Sequence, residues 1–151
     1  MKKTLMFLIL ILGCPALMAE TAVPDPETWY SQNYGPLWSD RPAEQIEQIL
    51  TYYADEVETH SGDGQIRRQD KRTWLAAPMA EWAQQGWTSS DLSGLKTDRI
   101  NATTVVFKSS WLDHYSNAPD ETGCGWYLAD FLDGRWQFTA FAEIDCTEHG
   151  F

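Results

Sequence analysis

Apolar residues recur along this chain with two different periods, and the change from one to the other falls at Gly86. Upstream the spacing is helical. Glu27 to Trp38 places Trp29, Tyr30, Tyr34, Leu37 and Trp38 at roughly helical intervals, with Gly35-Pro36 weakening or breaking the end. Asp40-Arg41-Pro42 opens a second helix: Asp40 can cap it, Pro42 suits its first turn, and Ile46, Ile49, Leu50 and Tyr53 form an apolar stripe that runs out at Ala54. Asp55 to His60 predicts a short strand, because Val57 and Thr59 alternate with charged neighbours, and Ser61-Gly62-Asp63-Gly64 predicts a loop. From Gln69 to Gln85 the helical period returns, with Trp74, Leu75, Met79 and Trp82 on one side and Pro78 as a kink or split.

Beyond Gly86 the period is two. Asp91 to Ile100 is a weaker strand and Ala102 to Tyr115 a stronger one, with Val105, Phe107, Ser109 and Trp111 alternating against Val106, Lys108, Ser110 and Leu112. The chain closes on two aromatic runs around Asp133-Gly134, a strong hairpin signal. Counting outward from that turn pairs Phe131 with Trp136, Ala129 with Phe138 and Tyr127 with Ala140, an apolar face. The opposite face carries Trp126, Leu128, Asp130, Gln137, Thr139, Phe141 and Glu143, whose Trp126, Leu128 and Phe141 predict a patch for pairing into a homodimer. Helices gathered ahead of a meander predict an α+β fold, three helices packed on a curved antiparallel sheet.

A chain of 151 residues with 43% hydrophobic content makes one domain with a real core. The start does not belong to it. Lys2 and Lys3, an apolar run from Leu5 to Leu12 and small residues up to Ala19 predict a signal peptide over residues 1–19, a domain over 20–151 and a periplasmic or secreted destination. A competing cut exists: Ile11-Leu12-Gly13-Cys14 loosely resembles a bacterial lipoprotein box, which would anchor Cys14 to lipid, although Leu12 and Pro15 are atypical for it. The apolar run is too short to span a membrane. Removing Lys2 and Lys3 leaves nine basic against 22 acidic side chains, a net charge of −13, which excludes nucleic acid and acidic membrane surfaces as partners. Once Cys14 is lost or lipidated, an oxidising compartment pairs Cys124 with Cys146. The hairpin register puts Cys124 opposite Glu143 and away from Cys146, so a bulge is required, and Gly123 and Gly125 mark a place for it.

Two motifs carry a resemblance. Tyr53-Ala54-Asp55-Glu56-Val57, between an amphipathic helix and a Gly-containing loop, resembles the Y/F-A-D-D-V element of the nuclear transport factor 2-like superfamily. The closing Y-L-A-D-F-L-D-G-R-W-Q-F run resembles that superfamily's terminal strands. The resemblance implies a cystatin-like cone with a pocket at its open end. In members similar to ketosteroid isomerases and SnoaL-like polyketide cyclases it also implies a carboxylate base just after the first strand. Here that stretch is Glu58-Thr59-His60-Ser61, without an Asp.

Candidate chemistry is sparse. His60 offers an imidazole as a base there, against the simpler reading of a solvated histidine, and Asp55 sits in the resembling element but suits a cap or turn. Asp113 and His114, adjacent in a strand, point to opposite faces and make a poor metal pair; His149 lies in a tail expected to fray. No metal-ligand spacing, phosphate loop or nucleophile elbow calls for a cofactor. The eight tryptophans and six tyrosines exceed what a small core needs. Tyr34, Tyr53, Trp74, Trp111 and Tyr127 are expected to wall a pocket for a small, largely apolar molecule. Three readings stay open: a non-catalytic binding domain, an isomerase-like or cyclase-like enzyme with a tyrosine such as Tyr34 polarising a carbonyl, and an interaction domain with a filled core.

Overall fold

A computed structural model describes residues 22–151; the expected signal peptide, with Cys14, lies outside the described residues. Among the described residues no helix is long and apolar enough to cross a membrane. Three helical segments cover one face of a six-stranded sheet. The first runs through α1 (Pro26–Thr28), a π-helical stretch (Trp29–Tyr34) and α2 (Pro36–Ser39); the second joins a 3-10 turn (Pro42–Gln45) to α3 (Ile46–Leu50). The third is another π-helical stretch (Arg72–Ala76) leading into α4 (Ala77–Gln84).

Neither internal proline breaks its helix. A proline ring offers no N–H and crowds the carbonyl four residues back. In both segments a widened turn comes immediately before it and makes room. Gly35 N–H donates to Tyr30 O at 2.8 Å ahead of Pro36, and Ala77 N–H donates to Arg72 O ahead of Pro78.

The strands are β1 (Tyr53–His60), β2 (Ile66–Asp70), β3 (Trp87–Arg99), β4 (Thr104–Tyr115), β5 (Glu121–Leu132) and β6 (Arg135–Glu143), in the spatial order β2-β1-β6-β5-β4-β3. Two details depart from expectation. The sheet is mixed, because β1 runs parallel to β6 with Tyr53 beside Phe138. And Gln69 and Asp70, read as helix, end the unforeseen strand β2, whose Arg67 and Arg68 lie on a solvated edge where nothing imposes apolar alternation. Asp70 then starts the helix, its carboxylate accepting from Arg72 N–H at 2.9 Å.

The hairpin forms as its turn dictates. Asp133 and Gly134 both take positive φ, 51° and 78°, the two-residue turn that matches strand twist. Leu132 faces Arg135, Phe131 faces Trp136 and Ala129 faces Phe138. Thr139 is then an extra residue, so Leu128 pairs with Ala140 and Tyr127 with Phe141. This is the bulge the cysteines required, placed in β6 rather than at Gly123 or Gly125. It reverses the faces of everything beyond it. Phe141 turns inward and Ala140 outward, opposite to the simple count, so only Trp126 and Leu128 of the expected outer patch remain on that face. Cys124 reaches Cys146 in a disulfide with Cα atoms 5.3 Å apart. The tail beyond is docked rather than frayed: Lys96 Nζ donates to the carbonyls of His149 and Gly150, and Phe151 N–H donates to Cys146 O at 3.0 Å.

The core between the helices and the sheet is aromatic. Tyr30, Tyr34, Phe107 and Phe138 are fully buried, with Trp29, Tyr53 and Trp136 nearly so.

Candidate functional site

The third helical segment does not close onto the sheet along its whole length. It leaves a cavity of about 550 Å³ against the inner faces of β3 to β6, within the size range of small-molecule sites. Five tryptophans line it: Trp38 from the first segment, Trp74 and Trp82 from the third, Trp87 from β3 and Trp111 from β4. Tyr53, Tyr115, Tyr127 and Phe141 add rings. Neighbouring rings meet steeply, Trp82 with Trp87 at 5.9 Å and 78°, Trp38 with Trp87 at 6.2 Å and 62°. These are edge-to-face contacts within the wall, and the cavity lies beside them.

Four of the five residues expected to wall the pocket are brought together there: Tyr53, Trp74, Trp111 and Tyr127. Tyr34 stands one layer behind, fully buried, its hydroxyl hydrogen-bonded to that of Tyr53. Tyr30 and Ser109 sit behind the wall likewise. The Tyr30 hydroxyl and Trp111 Nε1 each lie 2.8 Å from Ser109 Oγ, the indole donating. Burial pushes the phenols of Tyr30, Tyr34, Tyr53 and Tyr127 up, so all four stay neutral at physiological pH. Trp38 Nε1 is a buried donor with no partner among the described residues.

The expected bases lie elsewhere. His60 ends β1 on the outer face of the sheet, beside Ala142, with Nε2 3.0 Å from Glu58 Oε1 and its ring 6.3 Å from that of Trp126. Strand alternation is the reason: Thr59, its neighbour, takes the inward position next to Phe141. Asp55 is almost wholly exposed and pairs with Lys71 Nζ at 3.0 Å. Neither reaches the cavity.

Two carboxylates line it, the exposed Glu143 and the half-buried Asp113. Asp113 is the deeper of the two. It shares parity with Phe107, Ser109 and Trp111 in β4 and accepts a hydrogen bond from Ser90 Oγ, which in turn accepts from Trp87 Nε1 at 3.1 Å. Burial holds the Asp113 carboxyl above the usual carboxylate range; the Ser90 hydroxyl and, more weakly, the charge of nearby His114 oppose that shift, and Glu121 adds to it. The alternation of β4 carried this signal, since extending the inward series from Trp111 lands on Asp113. His114 points away, its two ring nitrogens 2.9 and 3.0 Å from Asp120 and Asp91, which raise its pKa. No group of side chains suited to hold a metal ion occurs among the described residues.

No family model and no curated protein matches this chain. Solved structures do. A nuclear transport factor 2-like protein of unknown function from Shewanella oneidensis superimposes with a TM-score of 0.58 at 15% identity, covering 74% of this chain and 90% of that one. A protein of unknown function with a cystatin-like fold from Nostoc punctiforme gives 0.54 at 10% identity over 73% and 80%. A candidate scytalone dehydratase from Novosphingobium aromaticivorans gives 0.52 at 15% identity over 73% and 74%. The fold is thus the nuclear transport factor 2-like, cystatin-like cone. Identities this low establish the fold and leave the activity to the site.

Proposed function

We propose that this chain is an exported domain that holds a small, largely apolar ligand in its cone without transforming it. The observation that carries this is the cavity itself: about 550 Å³, walled by rings from seven elements, with one half-buried carboxylate and, among the described residues that line it, no imidazole or amine to serve as a base. One observation favours a second reading. A carboxylate with a raised pKa in a cleft suits proton transfer, so Asp113 would be the acid or base of an isomerase-like or cyclase-like reaction.

The test uses N-phenyl-1-naphthylamine, an uncharged fluorescent probe. Saturable binding of one probe per chain is expected, weakened about tenfold in Trp82→Ala, which removes one wall at a position already 42% exposed and so leaves the core intact. Absence of saturable binding would refute the proposal. Turnover of a model ketosteroid or cyclisable polyketide, abolished by Asp113→Asn, would replace it with the enzymatic reading.

The proposal extends to a homodimer paired through the outer face of the sheet, where Trp126 and Leu128 lie half-buried. Sedimentation equilibrium should find a dimer that Trp126→Glu dissociates; monomer alone at high concentration would remove this part.

A further inference from the structure

We propose that the occupant of the cone is an organic cation whose ammonium group sits among the tryptophan rings against the Asp113 carboxylate. This deepens the binding reading above and rests on it. Three features of the site converge.

The first is the sign of the lining. Its ionisable side chains are Asp113, Glu143 at the mouth and three tyrosines, and no Lys, Arg or His is among the described residues that line it. An anionic ligand would meet two carboxylates and no counter-charge.

The second is the state of Asp113. It takes part in no ion pair among the described residues, and its hydrogen-bond donor is the neutral hydroxyl of Ser90. His114, next in sequence, spends both ring nitrogens on Asp91 and Asp120 on the other side of the strand. A carboxylate withdrawn from water costs free energy unless it is paired. Asp113 is half-buried, and that burial raises its pKa. A neutral ligand filling the cavity would desolvate it further, whereas an ammonium supplies the missing partner.

The third is the composition of the walls. Indole faces attract cations more strongly than other aromatic faces do, and boxes of aromatic rings are a recurrent device for recognising ammonium groups. Five of the eight tryptophans line this one cavity. Trp38 and Trp82 both neighbour Trp87, at 6.2 and 5.9 Å between ring centres, so a cation lodged against this wall has more than one ring within reach. The net charge of −11 for the whole chain draws cations toward the mouth as well.

A matched pair of ligands separates charge from shape: benzyltrimethylammonium, and neopentylbenzene, in which carbon replaces the charged nitrogen. Each is titrated against the protein with its disulfide intact, by displacement of N-phenyl-1-naphthylamine. The cation should bind at least about tenfold more tightly than its isostere. Asp113→Asn, which keeps a group that can accept from Ser90, should lose most of that preference while still binding the naphthylamine, the sign that its cone is intact. Equal or tighter binding of the neutral isostere to the wild-type protein overturns the cation assignment and leaves the apolar binding reading standing. An undiminished preference in a folded Asp113→Asn variant overturns the role given to the carboxylate. Failure of all three compounds to bind removes the binding reading itself, and this inference with it.

Discussion

Phe138→Ala should lower the unfolding free energy by about 3–5 kcal/mol, the upper range for truncating a buried aromatic. Phe138 is fully buried, and its ring lies within 4.7 to 5.1 Å, centroid to centroid, of Trp29, Tyr34, Tyr53 and Tyr127. Those rings come from the first helical segment, β1 and β5, so filling the void would require elements to shift against one another. The backbone holds them apart: Phe138 pairs with Ala129 on one side and Tyr53 on the other, just before the bulge at Thr139. The space left therefore persists as a cavity, which is what makes such truncations expensive. Phe131, half-buried at the hairpin tip, is the control, and its truncation should cost about 1–2 kcal/mol. Urea unfolding followed by tryptophan fluorescence measures both. A loss below about 1.5 kcal/mol at Phe138 would mean that the aromatic layer collapses freely, contrary to the packing described.

Removing the disulfide should cost about 3 kcal/mol, from closure of a loop whose cysteines are 22 residues apart. The loss should be felt beyond the hairpin. Cys146 ties down the tail that Lys96 holds through the His149 and Gly150 carbonyls, with Nζ 4.5 Å from the centre of the Phe151 ring. In the double variant Cys124→Ser, Cys146→Ser the Phe151 amide should lose most of its protection from hydrogen exchange, while amides of the β5–β6 ladder keep theirs until global unfolding. Mass spectrometry of exported material should show an N-terminus at Glu20 and no free thiol. A diacylglycerol on Cys14 would support the lipoprotein cut instead, and free thiols in the native protein would contradict the oxidised state.

The sequence was most legible where one local signal sufficed. Asp133-Gly134 admits few turns, so the pairs nearest it followed by counting. One bulged residue then changed the parity of all that came after. The need for a bulge could be read from the cysteines; its position could not, because Gly123 and Gly125 are the residues that conventionally mark one. Gly125 answers a different demand: a Cβ there would come within 2.7 Å of the Tyr127 ring and 3.0 Å of Phe141. Strand β2 was illegible because an edge strand in solvent needs no apolar face. The resemblance to the superfamily led to the cone and, for a base, to the end of β1, where alternation turns His60 outward, away from the cavity. Asp113 is legible from strand parity alone, because the inward series Phe107, Ser109, Trp111 continues onto it. Tyr34 shows the limit of composition: expected in the pocket wall, it is placed behind Tyr53 by helix geometry.

The rings of the third helical segment and β4 stand apart around an open, occupiable cavity. A crystal structure of the protein with N-phenyl-1-naphthylamine tests this. Density for the probe is expected between Trp74 and Trp111, within van der Waals contact of Trp87 and beside Asp113; a cone plugged by the Trp74 and Trp111 side chains, with the probe on the surface or absent, would overturn it.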